Sequence, residues 1–95
     1  MTLNSKEHMQ EIKHFFDSWY DFSEDLAENL IEHAEAGNIT FTIPGAGPDG
    51  ETWEGEIYID VSKLSIEAVV NDFISVAYAD EISIEDGNTL RLWWD

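Results

Sequence analysis

Glu11-x-x-His14 is the pattern in this chain closest to a metal-ligand pair. A glutamate and a histidine three residues apart share one helix face, the spacing of half a carboxylate-bridged metal site. No second pair completes it, because His8 and His33 lack an acid at the matching offset. His14 therefore reads as a surface histidine on the polar side of a helix. No stretch follows the alternating Asp/Asn pattern of a calcium loop. Gly45-Ala46-Gly47-Pro48-Asp49-Gly50 matches G-x-G-x-x-G literally. In a dinucleotide site such glycines open a helix whose N-terminus holds the pyrophosphate. Here a strand pattern follows, and Asp49, Glu51, Glu54 and Glu56 would repel a phosphate. The segment reads as a hairpin loop. The chain has no cysteine, which excludes disulfides, thiolate metal sites and cysteine nucleophiles. The serines fall at caps or within helix and strand patterns, with no nucleophile elbow around any of them. No enzyme activity, no metal and no cofactor are expected.

A different kind of chemistry is written between Asp17 and Glu35. This stretch carries Asp17, Asp21, Glu24, Asp25, Glu28, Glu32 and Glu35, with no Lys or Arg among them. At about 100° per residue these carboxylates fall on one side of a helix, and Phe15, Trp19, Phe22, Leu26 and Leu30 on the other. The row has a cost: each like-charged i,i+4 pair destabilises a helix by roughly 0.2–0.5 kcal/mol. Over a helix rising ~1.5 Å per residue the row supplies one charge per ~4 Å, against one phosphate per ~3.4 Å of a DNA strand. A carboxylate ridge of this density would fit a groove built for a phosphate backbone. A solvated face on a very acidic protein is the plainer reading.

The whole chain agrees with the acidic stretch. Its 95 residues make one domain, residues 1–95, with 21 acids against Lys6, Lys13, Lys63 and Arg91, a formal charge of −17. That charge argues against direct binding of nucleic acid or an anionic membrane and favours capture of a basic protein surface. At 43% hydrophobic and 13% aromatic the chain has enough apolar residues to fold rather than stay disordered. The polar start and the lack of a long apolar run point to a cytoplasmic protein.

The elements that must position these residues follow from periodicity. Asn4 or Ser5 with Glu7 reads as a capping box. The helical register then runs from Met9 to Glu35, predicting one long helix with Asp21-Phe22-Ser23 as the place for a kink, closed by Gly37. Ile39–Ile43 and Trp53–Val61 alternate as two strands of a hairpin. On the second strand Glu54, Glu56, Tyr58 and Asp60 share the polar face, a second acidic patch. Ser65 caps a second helix, with Ile66, Val69, Val70, Phe73, Ile74 and Ala77 on its inner face. Ile82 and Ile84 mark a short strand, Asp86-Gly87 a turn, and Leu90, Leu92 and Trp94 the last strand, from which Trp93 would face out beside Arg91. The expected fold is α+β, ordered α-β-β-α-β-β, with a four-stranded antiparallel sheet and both helices on one face. Exposed Tyr58 and Trp93 beside carboxylates have the character of interface anchors.

In size, charge and lack of catalytic groups, and in the Asp17–Glu35 stripe, the chain resembles the small nucleic-acid-mimic inhibitors of phages and mobile elements, the anti-CRISPR and anti-restriction proteins. The resemblance implies a non-enzymatic inhibitor acting in a host bacterial cell as a monomer or small homo-oligomer. Its partner would be a basic nucleic-acid-binding protein or nuclease complex. Two other readings stay open: an immunity protein that neutralises a nuclease toxin, and an acidic interaction or assembly module whose charge serves solubility.

Overall fold

The computed structural model describes residues 2–19, 21–47 and 53–95. It is an α+β fold in which helices cover one face of an antiparallel sheet. The sheet holds five strands: β1 (Leu3–Asn4), β2 (Thr40–Ile43), β3 (Glu56–Asp60), β4 (Glu81–Glu85) and β5 (Thr89–Trp93), in the spatial order β1-β2-β3-β5-β4. The helices are α1 (Met9–Ser18), α2 (Glu24–Glu35) and α3. The last runs Ile66–Val69 as α-helix, Val70–Ile74 as a π-helical turn and Ser75–Ala77 as α-helix again.

The sheet has one strand more than the expected four. Two residues are too few for a period-2 pattern to show, so β1 is invisible in the sequence. It exists because Leu3 is buried against the core opposite Ile43. Ser5 ends the pairing: its N–H donates to Phe41 O at 2.9 Å, and its hydroxyl accepts from Phe41 N–H at 2.9 Å. The Asn4–Glu7 pair makes half of a capping box: Glu7 N–H donates to Asn4 Oδ1, but Glu7 Oε2 accepts from the Asn4 side-chain Nδ2, while the Asn4 backbone N–H donates to His8 Nδ1. It closes a turn ahead of α1, however, and His8 rather than Asn4 is the N-cap residue.

The single long first helix is also corrected: it is two helices. An unbroken helix of about 30 residues would measure ~45 Å, longer than the molecule's greatest extent of 34 Å. The aromatic residues decide where it folds back. Phe16 and Phe22 stack at 4.8 Å, yet six residues apart on one helix they would lie about 240° apart around the axis. Ser23 takes an extended conformation and its hydroxyl accepts from Leu26 N–H at 3.2 Å, which starts α2. Tyr20, read with the first helix, lies outside the described residues.

Ser65 starts α3 in the same way, accepting from Ala68 N–H. Its inner face differs from the expected one: Val69, Phe73 and Ala77 are buried, while Ile66 is 84% exposed and Val70 42%. Successive i,i+4 positions drift by about 40° on a regular α-helix. A π turn takes up one extra residue and holds the 69-73-77 row over the sheet at the expense of Ile66 and Val70. Asn29 of α2 donates to the Asp72 carbonyl inside that turn at 2.8 Å. His33 of α2 meets Asp72 Oδ2 at 2.9 Å, while its other ring nitrogen meets Asn38 Nδ2. The core is closed by Phe15, Leu26, Leu30, Phe41, Ile57, Ile59, Phe73, Leu90 and Leu92, each 1% exposed or less.

Candidate partner-binding surface

The fold places acidic residues around three features, with Glu24 and Asp25 shared between the first and the third. Glu24, Asp25, Glu28, Glu32 and Glu35 lie on α2, all exposed. With Glu24 at 0°, they occupy about 0–100° of the helix circumference, Leu26 and Leu30 about 200–240°. Over the ~16.5 Å between Glu24 and Glu35 the charges still recur every ~4 Å. The ridge is therefore shorter than the sequence suggests but equally dense. Asp17 is carried away from this line by the chain reversal and shares the cleft between α1 and α2 with Glu24 and Glu28. The ridge is not free of cations either: Lys13 Nζ reaches Glu35 Oε2 at 3.4 Å.

The second group is on the uncovered face of the sheet. Alternation puts Glu56, Tyr58 and Asp60 of β3 there, beside Arg91 and Trp93 of β5 and Glu81, Ser83 and Glu85 of β4. Arg91, with a side chain only 19% exposed, donates to Glu56 Oε2 at 3.3 Å and to Glu81 Oε1 at 3.5 Å. Glu56 is thereby no free carboxylate. The Tyr58 hydroxyl beside it, hydrogen-bonding to the ionised form, and then Arg91 hold its pKa below the ordinary value, with burial opposing them. Tyr58 is pushed up by the same hydrogen bond to Glu56 and by burial. Burial works against the Arg91 charge, but Tyr58 and Glu56 outweigh it and raise its pKa. Asp60 is pulled down by the side chain and backbone N–H of Ser62, the latter donating to Asp60 Oδ1 at 3.0 Å. Glu54 does not join this patch. It precedes β3, and its side chain lies over Gly45, where any Cβ would strike it.

The third group surrounds a cavity of about 610 Å³ lined by Trp19, Phe22, Trp53, Tyr78 and Trp94 together with Asp21, Glu24, Asp25 and Asp95. The rings brace one another: Trp53 and Trp94 lie 5.2 Å apart, Phe22 and Trp94 5.7 Å, Trp19 and Trp53 5.7 Å. Two indoles are pinned by backbone acceptors, Trp53 Nε1 by Glu56 O at 3.1 Å and Trp94 Nε1 by Ala77 O at 2.9 Å. Trp19 Nε1 is buried with no hydrogen-bond partner among the described residues. Tyr78 ends α3 in the left-handed region at φ 52° and is 83% exposed.

No protein-family model, curated protein or solved structure matches this chain. No helix among the described residues is long and apolar enough to cross a membrane. Glu11 and His14 are both exposed on α1, and no group of three or more metal-ligating side chains occurs among the described residues. Of the glycine-rich loop, Pro48 to Gly50 lie outside the described residues, as do Glu51 and Thr52.

Asp95, Tyr78 and the aromatic walls of the cavity were not foreseen as a site. Periodicity assigns Trp19, Phe22, Trp53 and Trp94 to the core, which is where their inner edges pack. Only the chain reversal at Phe22-Ser23, set beside the C-terminal strand, gathers their outer edges with carboxylates.

Proposed function

We propose that this chain is a non-enzymatic protein inhibitor that binds a basic nucleic-acid-binding protein, of the kind found in CRISPR effector and restriction complexes, and blocks its nucleic-acid groove with an acidic surface. The observation that carries the reading is the exposed carboxylate face of α2. Helix electrostatics explain only part of it. Glu24 and Asp25 sit in the first turn, where acids are favoured by the macrodipole. Glu32 and Glu35 sit in the last turn, where acids are disfavoured, and among the described residues a lysine, Lys13, reaches Glu35 alone of the two. Glu28 lies between like charges at positions 24 and 32. A surface kept acidic against its own helix fits selection for a partner, and the spacing of about 4 Å fits a groove that holds phosphates.

The test is capture of partners by the tagged protein from lysates of bacteria carrying defence systems, washed at rising salt, alongside a Glu28→Gln/Glu32→Gln variant. Support would be a nuclease or nucleic-acid-binding complex that is released by salt, displaced by added DNA or RNA, and lost with the variant. A partner that ignores salt, nucleic acid and the double substitution would overturn the reading.

A further inference from the structure

We propose that the aromatic cavity beside the N-terminus of α2 is a receptor for one arginine side chain of the basic partner. The inference rests on the partner being basic and names a second anchor point for it, at the end of the ridge where Glu24 and Asp25 also line the cavity. Its volume of about 610 Å³ lies within the range of small-ligand sites. The walls include the Trp19, Trp53 and Trp94 indoles and the Phe22 ring, and among the described residues the acids that share the lining, Asp21, Glu24, Asp25 and Asp95, are joined by no Lys, Arg or His. Aromatic faces attract cations through their quadrupole, and carboxylates add charge and hydrogen-bond acceptors.

The two features together select among cations. A guanidinium is planar and weakly hydrated, so it stacks on an indole while its in-plane N–H groups reach carboxylates at the edge. A lysine ammonium is compact and strongly hydrated, and it cannot stack. A quaternary ammonium suits the rings but has no N–H for the carboxylates. The cavity is also preformed. The Trp53 and Trp94 indoles are fixed by their hydrogen bonds to Glu56 O and Ala77 O, so little ordering is required on binding. Tyr78, 83% exposed, adds a further ring to the lining.

The experiment is an NMR titration of the tryptophan indole N–H signals with acetyl-Gly-Arg-Gly-amide, its lysine counterpart and tetramethylammonium. The arginine peptide should give saturable shifts of Trp53 and Trp94, with the lysine peptide roughly tenfold weaker because it cannot stack. Tetramethylammonium should stay weaker still. Asp21→Asn/Asp25→Asn and Tyr78→Ala, both exposed changes, should each weaken the arginine peptide, by about fivefold for the double change. Equal response to all three cations, no saturable shift, or arginine binding unaltered by Asp21→Asn/Asp25→Asn would overturn the inference. The functional reading has its own readout, since Glu28 and Glu32 lie outside this cavity: loss of partner capture in Glu28→Gln/Glu32→Gln with no arginine response would leave that reading standing and this one refuted.

Discussion

Trp94 and Gly55 are held backbone to backbone. The Trp94 N–H donates to Gly55 O at 2.8 Å, and the Gly55 Cα sits so close to the Trp94 carbonyl that no Cβ fits between them. Gly55 also has φ +79°, a conformation that L side chains rarely adopt. The contact adds a backbone hydrogen bond just beyond the Glu56–Trp93 pair of β3 and β5, next to the Trp94 ring that packs on Phe22 and Trp53. Gly55→Ala should therefore cost about 1–3 kcal/mol in unfolding free energy and disturb the Trp94 indole signal. A variant as stable as the parent with an unmoved Trp94 resonance would refute the close approach.

Neutralising the middle of the α2 ridge should not harm the fold. Glu28→Gln/Glu32→Gln relieves the 24/28 and 28/32 repulsions, each worth roughly 0.2–0.5 kcal/mol. Thermal denaturation at low salt should show the variant equal to or above the parent. Added salt should raise the parent more than the variant, because exposed charges are screened. A clear loss of stability in the variant would mean that these carboxylates serve the fold.

Acid should loosen the uncovered face of the sheet. Glu56 and Asp60 are both shifted down in the folded state. A lowered folded pKa contributes stability that is fully present above the unfolded value and is lost as pH falls through the folded value. For Glu56 the window lies below its ordinary 4.5. Tyr58→Phe removes the largest cause of its shift, so the variant should lose less stability between pH 5 and pH 3 than the parent. Parallel curves for the two proteins would show that the Tyr58–Glu56 contact does not carry the shift.

Trp19→Phe should be unusually mild. A large-to-small change at a packed aromatic normally costs a few kcal/mol. Here it also removes a buried indole N–H that has no partner among the described residues, whose desolvation penalty is about 1–3 kcal/mol. Chemical denaturation should place the variant within about 1 kcal/mol of the parent, the two effects offsetting. A loss of 3 kcal/mol or more would indicate that the indole N–H has an acceptor in solution.

Local chemistry made much of this molecule legible in its sequence. Ser23 and Ser65 accept backbone N–H groups at helix starts, as their hydroxyls predict. The alternation of Ile57 and Ile59 against Glu56, Tyr58 and Asp60 fixes which face of β3 is buried. Asp86-Gly87 turns the last hairpin with both residues at positive φ. These features depend on residues a few positions apart, and steric and hydrogen-bonding rules act at that range.

Other features depend on partners far along the chain. Leu3 is a strand residue only because Ile43 lies opposite, and the first helix breaks because Phe16 and Phe22 pack on each other and Phe22 packs on Trp53. The π turn over Val70–Ile74 overrides the regular register that the sequence of α3 predicts. The acidic character and the dense carboxylate face of α2 were set by composition and the 3.6-residue period alone. The tertiary structure decided how those charges are used. The reversal at Ser23 took Asp17 and Asp21 off the ridge, Arg91 claimed Glu56, and the packing of Trp94 beside Phe22 joined four carboxylates to an aromatic cavity. Charge is a property of residue type, but its arrangement follows from burying the apolar residues, which no local pattern records.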